Sequence, residues 1–141
     1  MIKEMVYQAE WLTSDDAIIL ARDFYKDYEY FVVSYGVHPC AYIALREGQP
    51  FYSATDYGDV NINCHGGCTF VEKGYKNLFD SNYKVIGWDY GHYNDFSGSS
   101  IKWGTKWNER SKKWTTEEMI QECKNVIDQL YFFEHSELLY K

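Results

Sequence analysis

The stretch Lys84-Val-Ile-Gly-Trp-Asp-Tyr-Gly-His-Tyr-Asn-Asp-Phe96 constrains the fold of this chain more than any other. It begins with Val85, Ile86, Trp88 and Tyr90, β-branched and aromatic side chains that suit a pleated, half-buried surface. Alternation places Ile86, Trp88 and Tyr90 on one face and Val85, Gly87 and Asp89 on the other. Gly91 breaks the run, and His92, Asn94 and Asp95 follow at once. A strand that releases such residues into a loop is suited to holding polar groups at a cleft. Cys64-His-Gly-Gly-Cys-Thr-Phe70 reads as the partner of this segment.

The other elements are read around that strand. Thr13-Ser14-Asp15-Asp16 has a hydroxyl cap and acidic residues in the first turn, as a helix start does. Ala17, Ile18, Leu20, Ala21, Phe24 and Tyr25 then recur at helical spacing, which predicts a helix to about Lys26. Residues 28–35 and 40–45 read as strands, separated by Gly36 and opened by His38-Pro39, with proline at an edge or first position. Residues 46–50 form a turn. Residues 51–63 read as a loop carrying Asp56 and Asp59 that ends in an extended piece through Val60 and Ile62. Residues 69–72 read as strand, 73–82 as loop and 83–90 as the strand described above. After a long polar connection at 97–113, Thr115 or Thr116 caps a final helix with Glu117 and Glu118 in its first turn. Met119, Ile120, Cys123, Val126, Ile127 and Leu130 form its continuous apolar stripe. The expected fold class is α+β, a mainly antiparallel sheet with an N-terminal helix and a C-terminal amphipathic helix packed on it, in one domain over 1–141.

Composition narrows the function classes. Hydrophobic residues make up 45% of the chain, which excludes a wholly disordered protein. No apolar run reaches the roughly 18 residues of a membrane helix, and Met1-Ile-Lys-Glu-Met lacks the apolar segment of a signal peptide. A cytoplasmic protein is therefore expected, with no membrane partner. The net charge of −7 argues against general nucleic-acid binding through phosphate neutralisation. Aromatics at 19% suit stacking on a base or sugar, or a protein interface; an aromatic core with a tyrosine-rich surface explains them equally well.

Three stretches carry candidate chemistry. In the first, His65 stands beside Gly66 and Gly67, which permit positive φ and close approach of a ligand to the backbone; a tight turn with an ordinary surface histidine fits the same residues. The second, Asp89-x-x-His92-x-x-Asp95, gathers two carboxylates and an imidazole. One carboxylate can orient a histidine, and the two histidines can form an acid/base pair or, with an aspartate, ligate a divalent ion. Loops also collect Asp, Asn and Gly for turn reasons alone. Cys64 and Cys68 offer thiolates, but Cys40 and Cys123 are isolated in the sequence, so a structural zinc is not expected; the His/Asp spacing is a weak pattern, and no metal or cofactor is assigned. The third stretch, residues 102–114, interleaves Lys102, Lys106, Arg110, Lys112 and Lys113 with Trp103, Trp107 and Trp114. Five positive charges against Glu109 give +4 locally and −7 − 4 = −11 elsewhere. Such a loop can close over a ligand bearing phosphate and base, or simply pack its tryptophans on the sheet.

The segments 60–70, 86–95 and 114–118 with the final helix resemble a family of small proteins of phages and prophages of Gram-positive bacteria. Its members carry an H-G-G-L-T-[YF] turn, a strand G-F-D-x-A-H-x-x-D and a C-terminal helix. The resemblance covers roughly residues 38–130 and matches at His65, Gly66, Gly67, Thr69, Gly87, Asp89, His92 and Asp95. Cys68 and Gly91 stand where the family has Leu and Ala, so the cysteines lie outside its pattern. The resemblance implies an accessory protein that counters host defence in the host cytoplasm, by sequestering or degrading a nucleotide signal or by blocking a defence complex.

The resulting expectation is a pocket for a small nucleotide-like ligand. His65 and His92 would bond phosphate or ribose, Asp89 and Asp95 would orient them, and Gly66, Gly67, Thr69 and Lys106 would line it. Trp88, Trp103 or Trp107 would stack. One alternative is an acidic inhibitor of a host defence protein. Another is a phosphodiesterase with His65 and His92 as catalytic acid and base. Binding is favoured over turnover because Arg22, Arg46 and Arg110 are the only arginines available to stabilise developing charge. A homo-oligomer is compatible with either reading.

Overall fold

Side-chain alternation in the 84–90 stretch does produce a strand, and it lies inside a sheet. The computed structural model describes residues 2–7, 17–98 and 111–139. Its strands are β1 (Ile18–Tyr25), β2 (Tyr28–Ser34), β3 (Pro39–Leu45), β4 (Phe70–Tyr75) and β5 (Phe79–Asp89). They form one sheet in the order β1-β2-β3-β5-β4, and every neighbouring pair is antiparallel. The C-terminal helix, α1 (Thr116–Leu139), packs across β1, β2 and β3. This is an α+β fold.

Two expectations about its elements need correction. Residues 18–25 form β1, an edge strand, and not the second half of an N-terminal helix; residues 13–16, its expected cap, lie outside the described residues. The misleading signal is a β-bulge: Ile19 pairs with Val33 and Ala21 with Val32, so Leu20 is an extra residue. Strict alternation slips there, and Leu20 and Ala21 are both buried, a spacing that imitates a helix. The turn that follows, Lys26-Asp27, has positive φ at both residues, the geometry of a two-residue hairpin loop.

The stretch 73–82 is the second correction. Only residues 76–78 form a turn; the rest are the paired ends of β4 and β5, which extend to Tyr75 and from Phe79. Gly74, at φ +75°, marks a register shift in β4, and a Cβ there would meet the Phe79 carbonyl oxygen at 2.8 Å. The kink folds the hairpin tip over the sheet. Tyr75 lies three strands from β2, about 14 Å in a flat sheet. Even so, its ring is 5.0 Å from that of Phe31, and Phe79 stacks on Phe31 at 5.2 Å. Phe31, Val33, Tyr42 and Val85 are thereby buried on the face opposite α1.

The face beneath α1 holds the larger core. Val32, Ile43, Ile86, Trp88 and Tyr90 meet Met119, Cys123, Val126, Ile127 and Leu130 of the expected helical stripe. Helix α1 starts with a capping box: Thr115 Oγ1 accepts from the Glu118 N–H at 3.2 Å, and the Thr115 N–H donates back to Glu118 Oε1 at 3.1 Å. Among the described residues no helix is long and apolar enough to cross a membrane.

Leu130 is fully buried where α1 crosses the sheet. Leu130→Ala is expected to lower the unfolding free energy by about 3 kcal/mol, from lost apolar transfer plus the cavity left behind. Urea denaturation followed by circular dichroism measures this, and a loss under about 1 kcal/mol would mean that α1 is not seated as described.

Candidate functional site

The site is built where β5 ends. Tyr90 continues the strand direction, its N–H bonded to the Pro39 carbonyl at 3.0 Å. The chain then turns: the Asp95 N–H donates to the His92 carbonyl at 2.9 Å. Residues 94–96 next pair with Lys112, through Lys112 N–H to Asn94 O at 2.9 Å and Phe96 N–H to Lys112 O at 2.8 Å. That pairing carries Trp114, just before α1, to the side of Asp95. From another direction comes the turn closed by Gly67 N–H to Cys64 O at 3.0 Å, which presents His65.

Donors from all three segments converge on the Asp95 carboxylate, whose side chain is 3% exposed. His65 Nε2 lies 2.9 and 2.8 Å from its two oxygens. The Trp114 indole N–H donates to Oδ1 at 2.8 Å, and the His92 backbone N–H donates to Oδ2 at 3.0 Å. His92 Nδ1 is 3.3 Å from Oδ2. Burial alone would raise the Asp95 carboxyl, but the bonds from His65, the His92 N–H and Trp114 outweigh it and hold the group below its ordinary range. Asp95 is therefore ionised at neutral pH and only accepts, so both facing imidazole nitrogens carry their protons toward it.

Packing fixes the two imidazoles. The His65 ring stacks on Tyr90 at 4.9 Å and 8°, with Trp114 at 4.9 Å and His92 edge-on at 5.2 Å. Tyr90 is held in turn: its hydroxyl donates to Glu122 Oε1 at 2.5 Å and accepts from the Trp88 indole at 3.0 Å. Burial first, and then the Glu122 bond, push the Tyr90 hydroxyl far above its ordinary value, so it stays a neutral donor. The same Glu122 oxygen accepts the His65 N–H at 3.3 Å. His92 lies against Gly66, which has φ +72°; a Cβ there would come within 2.2 Å of the ring. A glycine is required twice over at this position, for its backbone angle and for the imidazole beside it.

The structure thus brings His65, Gly66, His92 and Asp95 together. Gly67 closes the turn from the open side, where a Cβ would meet nothing within 4 Å. Asp89 is close by, its Oδ1 3.8 Å from His92 Nδ1, and it also accepts from the Gly91 N–H at 3.0 Å and the Thr69 hydroxyl at 3.4 Å. Trp88 does not belong to the site. It is 1% exposed beneath α1, because its place on the Ile86–Tyr90 face turns it into the core, so it cannot stack on a ligand. Trp103, Lys106 and Trp107 lie outside the described residues. Tyr90, Trp114 and Glu122 are site residues that sequence reasoning misses. Tyr90 shares the inward face of β5, and Glu122 neighbours the apolar stripe of α1; no spacing rule links either to His65.

The histidines remain reachable, with side chains 25% exposed for His65 and 38% for His92. Their ligand-capable atoms and that of Asp95 lie within 4.8 Å of one another. Cys64 and Cys68 are not in that group; burial pushes the Cys64 thiol up to about 12 and the Cys68 thiol up as well. A separate groove of about 530 Å³ runs along the opposite face of the sheet, past Tyr35, Tyr42, Phe70 and Lys76. No protein-family model, curated protein or solved structure matches this chain.

Two substitutions test the architecture. Asp95→Ala leaves the Trp114 indole, the His92 amide and His65 without their shared acceptor, and an unfolding free-energy loss of about 3 kcal/mol is expected in urea denaturation. A change within experimental error would show that the carboxylate does not organise the site. Gly66→Ala is expected to cost about 1–2 kcal/mol from the left-handed backbone and to swing His92 outward. The second effect is read as a shift of the His92 ring resonances in NMR spectra, and unshifted resonances would contradict the contact.

Proposed function

We propose that this chain binds a small anionic, nucleotide-like ligand at the His65–His92 corner, as a phage-type accessory protein that sequesters a nucleotide signal of host defence. The observation that carries the reading is the convergence of two partly exposed imidazoles on one buried carboxylate. Each ring has one nitrogen facing Asp95, and in this reading the second nitrogen of each partly exposed ring meets the ligand. Protonated, that second nitrogen donates to a phosphate oxygen; neutral, it accepts from a ribose hydroxyl. The aromatic side chains of Tyr90 and Trp114 hold the His65 ring rigidly, which reduces the ordering cost of binding. The likeness of the His65–Thr69 and Gly87–Asp95 motifs to those of phage proteins supplies the biological setting.

Sequestration is favoured over hydrolysis by where the two arginines among the described residues stand. Arg22 pairs with Glu29 at 2.6 Å and lies over Phe79, while Arg46 bonds the Asp27 carbonyl at 3.1 Å. Neither belongs to the histidine cluster, and phosphoryl transfer needs positive charge aimed at the reacting oxygens.

Calorimetric titration with cyclic dinucleotides, cyclic ADP-ribose isomers and ADP-ribose tests the reading. Saturable binding is expected, weakened at least about tenfold in His92→Ala by loss of a charge-assisted hydrogen bond. The ligand should be recovered intact after the protein is denatured. Absence of binding at high micromolar concentration would remove the proposal. A converted ligand would replace sequestration with the phosphodiesterase reading.

A further inference from the structure

We propose that His65, His92 and Asp95, with Asp89 beside them, form a binding site for one divalent transition-metal ion. This goes beyond the ligand reading and does not depend on it, since the argument concerns only the protein's own donor atoms. It also runs against the expectation from sequence, in which no metal is assigned because the His/Asp spacing is a weak pattern.

The first support is spacing. Metal–ligand bonds near 2.1 Å place neighbouring ligand atoms about 3.0 Å apart at a right angle and about 3.4 Å apart at the tetrahedral angle. His65 Nε2 lies 2.8 and 2.9 Å from the Asp95 oxygens, and His92 Nδ1 lies 3.3 Å from Oδ2. Asp89 Oδ1, at 3.8 Å from His92 Nδ1, is within a small side-chain movement of the same centre. The three ligand atoms lie within 4.8 Å of one another, so an ion enters as these side chains draw inward, each facing imidazole proton moving to the other ring nitrogen or, from an imidazolium, to solvent.

The second support is the surrounding shell. A ligating carboxylate holds its orientation when donors outside the site bond its remaining lone pairs. Asp95 has two such donors, the Trp114 indole on Oδ1 and the His92 amide on Oδ2. The histidine rings are held independently, His65 by its stack on Tyr90 and His92 by the bare Cα of Gly66. Donor atoms fixed before binding reduce the ordering cost that a flexible site would incur.

The donor set selects the class of ion. Two imidazoles with one or two carboxylates suit Zn²⁺, Mn²⁺, Co²⁺ or Fe²⁺, whereas Mg²⁺ and Ca²⁺ prefer all-oxygen surroundings. Three or four protein ligands leave at least one coordination position for water or for an anionic oxygen. An ion there would bring to the site the positive charge that Arg22 and Arg46 do not.

The test uses metal alone. Chelator-treated protein is titrated with Zn²⁺, Mn²⁺ and Co²⁺ by calorimetry, with Mg²⁺ as the control and bound metal counted by mass spectrometry. One ion per chain is expected, together with a higher Tm, no Mg²⁺ binding, and a Co²⁺ absorption band in the visible region. Affinity should fall at least about tenfold in His65→Ala and in His92→Ala, and remain unchanged in His135→Ala, whose exposed ring lies on α1 away from the cluster. His92→Ala removes a partly exposed side chain, so its fold is expected to persist and is checked by circular dichroism. Failure of the wild type to bind, or equal binding by the wild type and both site variants, would overturn the proposal. Because no nucleotide is present, the metal titrations and the ligand titrations can fail independently, and failure of the latter would leave this site standing.

Discussion

A carboxylate 3% exposed to water stays ionised only where hydrogen-bond donors replace the solvent it has lost. Asp95 obtains them from segments far apart in the chain: a turn at 64–67, its own loop at 92–95, and Trp114 at the threshold of α1. Satisfying that one charge therefore dictates how the C-terminal end of β5, the glycine turn and the helix entrance meet. The capping box at Thr115 and the pairing of residues 94–96 with Lys112 set the angle at which the third donor arrives. Several otherwise unrelated local structures are coupled through a single electrostatic requirement.

Around this centre buried aromatic residues join the core to the site. Trp88 and Tyr90 both lie in the core beneath α1, and Tyr90 in addition stacks on His65. The Trp88 indole bonds the Tyr90 hydroxyl, which bonds Glu122, which accepts the His65 amide. A continuous polar chain thus runs from beneath the helix to the backbone amide of His65. No buried side-chain nitrogen or oxygen among the described residues lacks a partner, as a protein core of this polarity requires.

How much of this is legible in the sequence depends on whether the signal is local. Alternation from Val85 to Tyr90 and the stripe from Met119 to Leu130 each lie within one element, and both appear in the fold as the sequence predicts. The bulge at Leu20 is not legible, because one extra residue converts a strand's alternation into an apparent helical period. The β4–β5 hairpin is hidden by Lys, Gly, Asn and Asp residues that ordinarily mark a loop, though here Gly74 serves a kink inside a strand. At the site, the motif spacing points to His65, His92, Asp89 and Asp95, but a stacking role for Trp88 ignores the alternation that turns it inward. Trp114, Tyr90 and Glu122 join the cluster through tertiary pairing alone, which no sequence window contains.

The span between site residues has a kinetic meaning. His65 and Asp95 are 30 positions apart, and Tyr7, whose hydroxyl accepts the Trp114 amide at 3.1 Å, is 107 positions from it. Contacts of such separation close late, because chain entropy opposes them until the sheet and helix are already in place. The cluster thus depends on the complete fold to bring its segments together. Whatever binds there recognises the finished protein alone, and its binding energy adds to the stability of the whole chain instead of stiffening one loop.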